Sequence, residues 1–171
     1  MTRTLFLLFA LPLPSLTSMA QAADQLICRI EIPELDVAEY HRPYIAVWIE
    51  SPDRKIIRNL AVWYDDDMPK DEGETWLKDM RQWWRRIGRR TEMPVDGVSG
   101  ATKRVGTHEI KLPFHSNIIK DISEGDFTLY VEASREVGGR EILSIPFKWK
   151  VKTKQNSQGQ SELGLVQLEI K

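Results

Sequence analysis

The sequence predicts an all-β fold, an antiparallel β-sandwich of about seven strands with one amphipathic helix inserted. Three observations point there. Apolar and polar residues alternate over most of the chain, turn-forming residues separate the alternating runs, and one segment alone switches to the helical period. Successive side chains of a strand point to opposite faces, so each run has one apolar face that a second sheet must cover.

Leu26, Cys28, Ile30 and Ile32 alternate with polar residues and mark a first strand. Cys28 reads as a small buried apolar residue within it, not as a reactive thiol. Residues 44–49 and 56–64 are aromatic and β-branched runs. Between them Ser51-Pro52-Asp53-Arg54-Lys55 places Pro and Asp where a type I turn favours them. The helical segment comes next, around 74–88. Trp76, Leu77, Met80, Trp83, Trp84 and Ile87 fall at i, i+1, i+4, i+7, i+8 and i+11, with Lys78, Arg81, Gln82, Arg85 and Arg86 on the other face. Asp71 and Thr75 are the candidate caps, and Gly88 is placed to end the helix. Trp76 and Trp83 are read as core.

Residues 105–112 form a weaker strand. Phe127, Leu129, Val131 and Ala133 alternate cleanly, and Gly138-Gly139 offers a hairpin turn into 141–149, where Pro146 predicts an edge strand or a bulge. A polar stretch, 153–161, leads to a last alternating strand over 163–170.

The first residues read as an export signal. Arg3 precedes an apolar stretch over 5–16, and Ala20-Gln21-Ala22 is an A-x-A cleavage site. The expectation is a signal peptide over 1–22, cleaved after Ala22, and a periplasmic single domain over 23–171. The apolar stretch is too short and too broken by Pro12 and Pro14 to span a bilayer, so no transmembrane segment is expected in the mature chain. A lone cysteine forms no internal disulfide, so the core must supply the stability.

The formal net charge is −1, which offers no global attraction for nucleic acid despite the basic cluster Arg85-Arg86-Ile87-Gly88-Arg89-Arg90. His41, His108 and His115 lack zinc-site spacing, and no metal is expected. The acidic loop Asp65-Asp66-Asp67, with Asp71, Glu72 and Glu74, lacks the pattern of an EF-hand and reads as a solvated loop. No G-x-S-x-G elbow or Ser-His-Asp arrangement is recognisable, and no catalytic residue is assigned.

One motif stands apart: Asp96-Gly97-Val98-Ser99-Gly100-Ala101-Thr102. It resembles the D-G-x-[ST]-G-A-[TS] signature at which a flavin transferase attaches FMN through its phosphate. The resemblance implies covalent FMN on Thr102. The residue types suit that chemistry. Thr102 supplies a hydroxyl, and Gly100 and Ala101 let an enzyme approach it closely. Asp96 and Ser99 can hold the turn through side-chain hydrogen bonds, and backbone N–H groups near Gly97 can receive phosphate oxygens. Two readings stand for Trp84 and Arg85: a stacking platform and a guanidinium partner for the flavin, or an ordinary helix surface.

The chain resembles, over most of its mature length, the DUF2271 family of predicted periplasmic proteins. The resemblance is carried by His41-Arg42-Pro43-Tyr44-Ile45-Ala46-Val47-Trp48-Ile49-Glu50, by residues 76–85, by the heptapeptide, and by residues 125–133 and 135–140. Residues 125–133 also resemble the closing strands of Ig-like domains in flagellar-hook-cap-type proteins, which makes the expected sandwich Ig-like. Where family members often carry a W-D-G-x-D-x-x-G-type loop, this chain has Pro113-Phe114-His115-Ser116-Asn117. The family resemblance implies a periplasmic flavoprotein electron carrier. Its implied partners are an FAD:protein FMN transferase and a PepSY-type membrane reductase. A different class stays open beside it: a cofactor-free Ig-like interaction or ligand-binding module.

Overall fold

A computed structural model describes residues 24–171; the expected signal peptide lies outside the described residues. Two sheets face each other. One has the order β5-β1-β9-β8 and the other β4-β3-β2-β6-β7. The strands are β1 (Gln25–Ile32), β2 (Tyr44–Glu50), β3 (Ile57–Tyr64), β4 (Ser99–Ala101), β5 (Gly106–Pro113), β6 (Gly125–Ser134), β7 (Arg140–Trp149), β8 (Thr153–Gln158) and β9 (Leu165–Ile170). The all-β sandwich is as expected, and two strands exceed the expected seven. β8 lies in the stretch read as merely polar. It is an edge strand paired only with β9, and none of its residues is buried, so no apolar alternation betrays it. β4 is three residues long and pairs parallel to β3, the one parallel pairing among the described residues.

The expected turns are present. The Ser51 carbonyl accepts the Arg54 N–H and the Ser51 hydroxyl donates to Asp53 at 2.7 Å, closing the β2–β3 turn. β6 and β7 form a hairpin through Gly138-Gly139, and Pro146 sits on β7 at the sheet edge, where its missing N–H costs no ladder bond.

Side chains from both inner faces make the main core, including Leu26, Cys28, Ile30, Ile45, Val131, Trp149 and Leu168. Cys28 is fully buried, and burial pushes its thiol up to about 12, so it is inert as a nucleophile in the fold. Phe114, from the loop over 113–117, packs on Trp149 with ring centres 4.8 Å apart, and the Trp149 indole donates to the Ile122 carbonyl. That loop closes one end of the sandwich.

β2 is buried on both faces, because the insertion between β3 and β4 covers the outer face of its sheet. There Ala46, Trp48, Val62 and Tyr64 meet Leu77, Met80, Trp83 and Val98. The insertion is not the single helix expected over 74–88. It is a chain of short turns: 3₁₀ turns at Pro69–Asp71, Leu77–Asp79 and Gly88–Arg90, with α1 (Glu72–Thr75) and α2 (Arg81–Arg86) between them. Neither candidate cap serves. Asp71 has left-handed backbone angles and makes no side-chain cap, and Thr75 bonds back to the Glu72 carbonyl. The cap of α2 comes instead from the sheet. Glu132 on β6, fully buried, accepts the N–H of Gln82 at 3.0 Å and of Trp83 at 2.7 Å, and receives Arg140 at 2.8 Å. A carboxylate under the first turn matches the helix dipole and starts α2 at residue 81. The break before it turns Trp76 out: Leu77, Met80 and Trp83 are buried as the stripe predicts, but Trp76 is 44% exposed.

Removing the Glu132 carboxylate leaves two buried N–H groups and one arginine without their acceptor. Glu132→Ala is expected to cost about 3 kcal/mol of unfolding free energy, measured by urea titration, with Arg140→Ala costing less. Acid should also destabilise the fold. Burial opposes ionisation of Glu141, but the N–H groups of Gln160, Leu163 and Ser161 and the Ser161 hydroxyl outweigh it and hold its carboxyl below the ordinary range. A carboxyl lowered in the folded state contributes fully above its unfolded pKa, about 4.3, and loses that contribution as pH falls through the folded value. The urea midpoint should therefore drop on acidification below about pH 5, and Glu141→Gln should shrink the drop.

Candidate functional site

The heptapeptide starts as a turn and ends as a strand. Val98 and Ser99 both donate their N–H to the Val95 carbonyl, and the Ser99 hydroxyl accepts the Val95 N–H at 2.8 Å. Gly97 carries a φ of +69°, in the left-handed region that glycine enters without a Cβ penalty. Ser99 thus holds the turn as expected, whereas Asp96 contributes only backbone and leaves its carboxylate exposed. The chain then runs alongside β3: Val62 donates to Val98, β4 pairs with Val62, Trp63 and Tyr64, and Thr102 donates its N–H to the Tyr64 carbonyl at 3.0 Å.

The motif therefore divides in two. Gly97, Val98 and Ser99 are used by the fold. Asp96 is exposed, and Gly100 and Ala101 serve the fold only through the backbone of β4, whatever their side chains. A Cβ on Gly100 would find its nearest neighbour, Trp63 Cδ1, at 3.8 Å, an ordinary contact, and Gly100 has no positive φ. Folding alone does not demand a glycine at this position.

Thr102, half-buried, lines a cleft of about 570 Å³, within the usual range for small-molecule sites. Tyr40, His41 and Arg42 come to this cleft from the segment before β2. Asp65 and Met68 come from beyond β3, Trp76 and Asp79 from the insertion, and residues 134–137 from the β6–β7 hairpin. Three couplings hold these walls. His41 bonds Glu39 through Nε2 at 2.9 Å and lies 3.4 Å from Glu136 through Nδ1, tying the first segment to the hairpin. Arg135, buried, makes a two-pronged pair with buried Glu162 at 2.8 and 3.1 Å, and Glu162 also accepts the Gly139 N–H. Gly73 lets α1 lie against the end of β3, because a Cβ there would collide with the Asp65 carbonyl oxygen.

Burial, the largest influence on each, raises the phenols of Tyr40 and Tyr44 above their ordinary value, so both remain hydrogen-bond donors at neutral pH. Asp65, Glu72, Asp79 and Glu136 line the cleft against Arg42 and Arg135, and Arg135 is already neutralised by Glu162. The Glu162 hydrogen bond, foremost, holds the guanidinium above its ordinary value. This charge balance does not favour a free anion. The aromatic walls favour a neutral planar group.

Trp84 and Arg85 are not among the residues lining the cleft. Trp84 is half-buried beside Trp83, 6.3 Å between ring centres, and Arg85 is exposed on α2. Arg86 reaches buried Glu50 at 3.3 Å. The aromatics that line the cleft with Thr102 are Tyr40, Tyr44 and Trp76, the last of which periodicity assigns to the core. Chemistry does not single out Tyr40, Arg42 and Arg135 in the sequence, although the segments 41–50 and 135–140 carry the family resemblance. Those segments meet at this cleft.

Among the described residues, no helix is long and apolar enough to cross a membrane, and no group of three or more His, Cys, Asp or Glu is arranged to hold a metal ion. No curated protein and no solved structure matches the chain. The model of the DUF2271 family, described as predicted periplasmic proteins, matches residues 25–165, and the chain belongs to that family.

Proposed function

We propose that this protein is a periplasmic flavoprotein electron carrier, with FMN covalently attached to Thr102 by an FAD:protein FMN transferase. The observation that carries this reading is the division of the heptapeptide. The residues whose side-chain identity the fold does not use, Asp96, Gly100 and Ala101, lead directly to a threonine that lines a cleft. A surface turn kept for folding alone needs none of those three residue types. A turn presented to a modifying enzyme needs an exposed carboxylate to recognise, small residues to pass, and a hydroxyl held in place.

In the attachment step the Thr102 hydroxyl oxygen bonds to the FMN-side phosphorus of FAD. The pyrophosphate bond breaks, AMP leaves, and the hydroxyl proton passes to a base of the transferase. The product is a phosphoester, and the chain gains one FMN less one water. Bound flavin supplies reversible two-electron, one-proton chemistry. The role of this chain is to display Thr102 on a rigid edge, fixed by the bond from its N–H to the Tyr64 carbonyl. A PepSY-type membrane reductase is the proposed electron-exchange partner.

Intact-mass measurement of the exported protein, co-expressed with a transferase, should show the increment of FMN less water, and Thr102→Ala should abolish it without loss of folding. An unmodified mass in both proteins would refute the proposal and leave the interaction-module reading. Gly100→Ala separates fold from modification. It should shift stability by no more than about 1 kcal/mol, since its Cβ meets only an ordinary contact, while the modified fraction falls.

A further inference from the structure

Half of the large apolar side chains left exposed, including both aromatic ones, meet at one place. Among the described residues, the exposed large hydrophobics are Val37, Tyr40, Trp76, Val105, Val137 and Val151. Both aromatic members, Tyr40 at 37% and Trp76 at 44% exposure, line the cleft that contains Thr102, and so does Val137 at 77%. Exposed indole and phenol surface in contact with water is unfavourable, and its confinement to a concave site points to an occupant. Lys78 Nζ lies 5.7 Å from the Trp76 ring centre, a cation–π contact that steadies the indole without burying it. The carboxylates around the cleft disfavour a negative charge against its aromatic walls, so the part of a guest that packs there is neutral, flat and partly apolar.

We infer that the isoalloxazine of the flavin tethered at Thr102 folds back into this cleft and packs against Trp76 and Tyr40, with Val137 covering its edge. This rests on the reading of Thr102 as the attachment point, and deepens it by assigning the surface that holds the ring. The tether starts on a residue that itself lines the cleft, as do the indole and the phenol. The ring is neutral when oxidised, which suits the charge of the walls, and an electron-poor ring stacks well on an electron-rich indole. Trp76 is then a positioning residue, and its exposure in a protein whose other insertion apolar residues Leu77, Met80 and Trp83 are buried has a reason.

The test uses the full, flavinylated protein and reads two signals separately. Intact mass reports attachment, and flavin fluorescence with visible circular dichroism reports docking. In the native protein the flavin should be quenched and optically active. Trp76→Ala should keep the FMN mass increment while flavin emission rises and the visible dichroism is lost. Trp76→Phe should restore part of both signals. Trp84→Phe removes a tryptophan outside the cleft and should leave both unchanged. Retained FMN mass with unaltered emission and dichroism in Trp76→Ala would overturn the docking inference and leave the attachment reading standing. An unmodified native protein would overturn the attachment reading, and the docking inference with it.

Discussion

The buried carboxylate of Glu132 is the contact on which the insertion and the cleft beside it depend. It sits on the outer face of β6, fully out of water, and ends three hydrogen bonds there: two from the start of α2 and one from Arg140. A charge in such a place is unfavourable unless each lone pair is used. Here the helix N–H groups and a guanidinium use them, and in return the insertion is fixed over the sheet. Trp83 is seated by the same device. Its backbone bonds Glu132, and its indole bonds Asn59 across the face at 3.0 Å. Trp48 and Tyr130, stacked 5.1 Å apart, complete the outer layer.

This arrangement explains why a cleft exists at all. The break at Met80, immediately before the capped turn, ends the run that would have been one helix and leaves Trp76 and Asp79 at the cleft. On the opposite side the Arg135–Glu162 pair fixes the β6–β7 hairpin from beneath, and the His41–Glu136 contact fastens the segment before β2 to it. The walls are loops, but each is held by a contact to another part of the chain. Function concentrates on loops placed by a rigid scaffold because the scaffold bears the cost of ordering them.

Within residues 96–102 the fold uses the side chains of some residues and only the backbone of others. The turn at Gly97 and the Ser99 hydroxyl form the hairpin-like start, and Val98 anchors it in the outer apolar layer. The short parallel strand β4 comes next, a pairing that local sequence cannot announce, since three residues hold no period. Its effect is to place Thr102 at the end of β3 beside Tyr64 and in the cleft, while Asp96 stays in solvent.

The sandwich and most of its strands are legible in the chain without coordinates, because alternation is a local pattern that answers to a local geometry. The β2–β3 turn, the hairpin at Gly138-Gly139, the edge position of Pro146 and the burial of Cys28 are legible on the same grounds. Thr102 stands out because the signature is contiguous. Where the insertion breaks depends on tertiary contact, since its cap comes from Glu132, 49 residues from Trp83. Packing likewise sets Trp76 rather than Trp84 in the cleft that Thr102 lines, and pairs β8, polar throughout, as a strand. The cleft itself joins segments near 40, 76, 102 and 135. No periodicity links positions so far apart; only packing of the two sheets and charges buried between their connections brings them to one place.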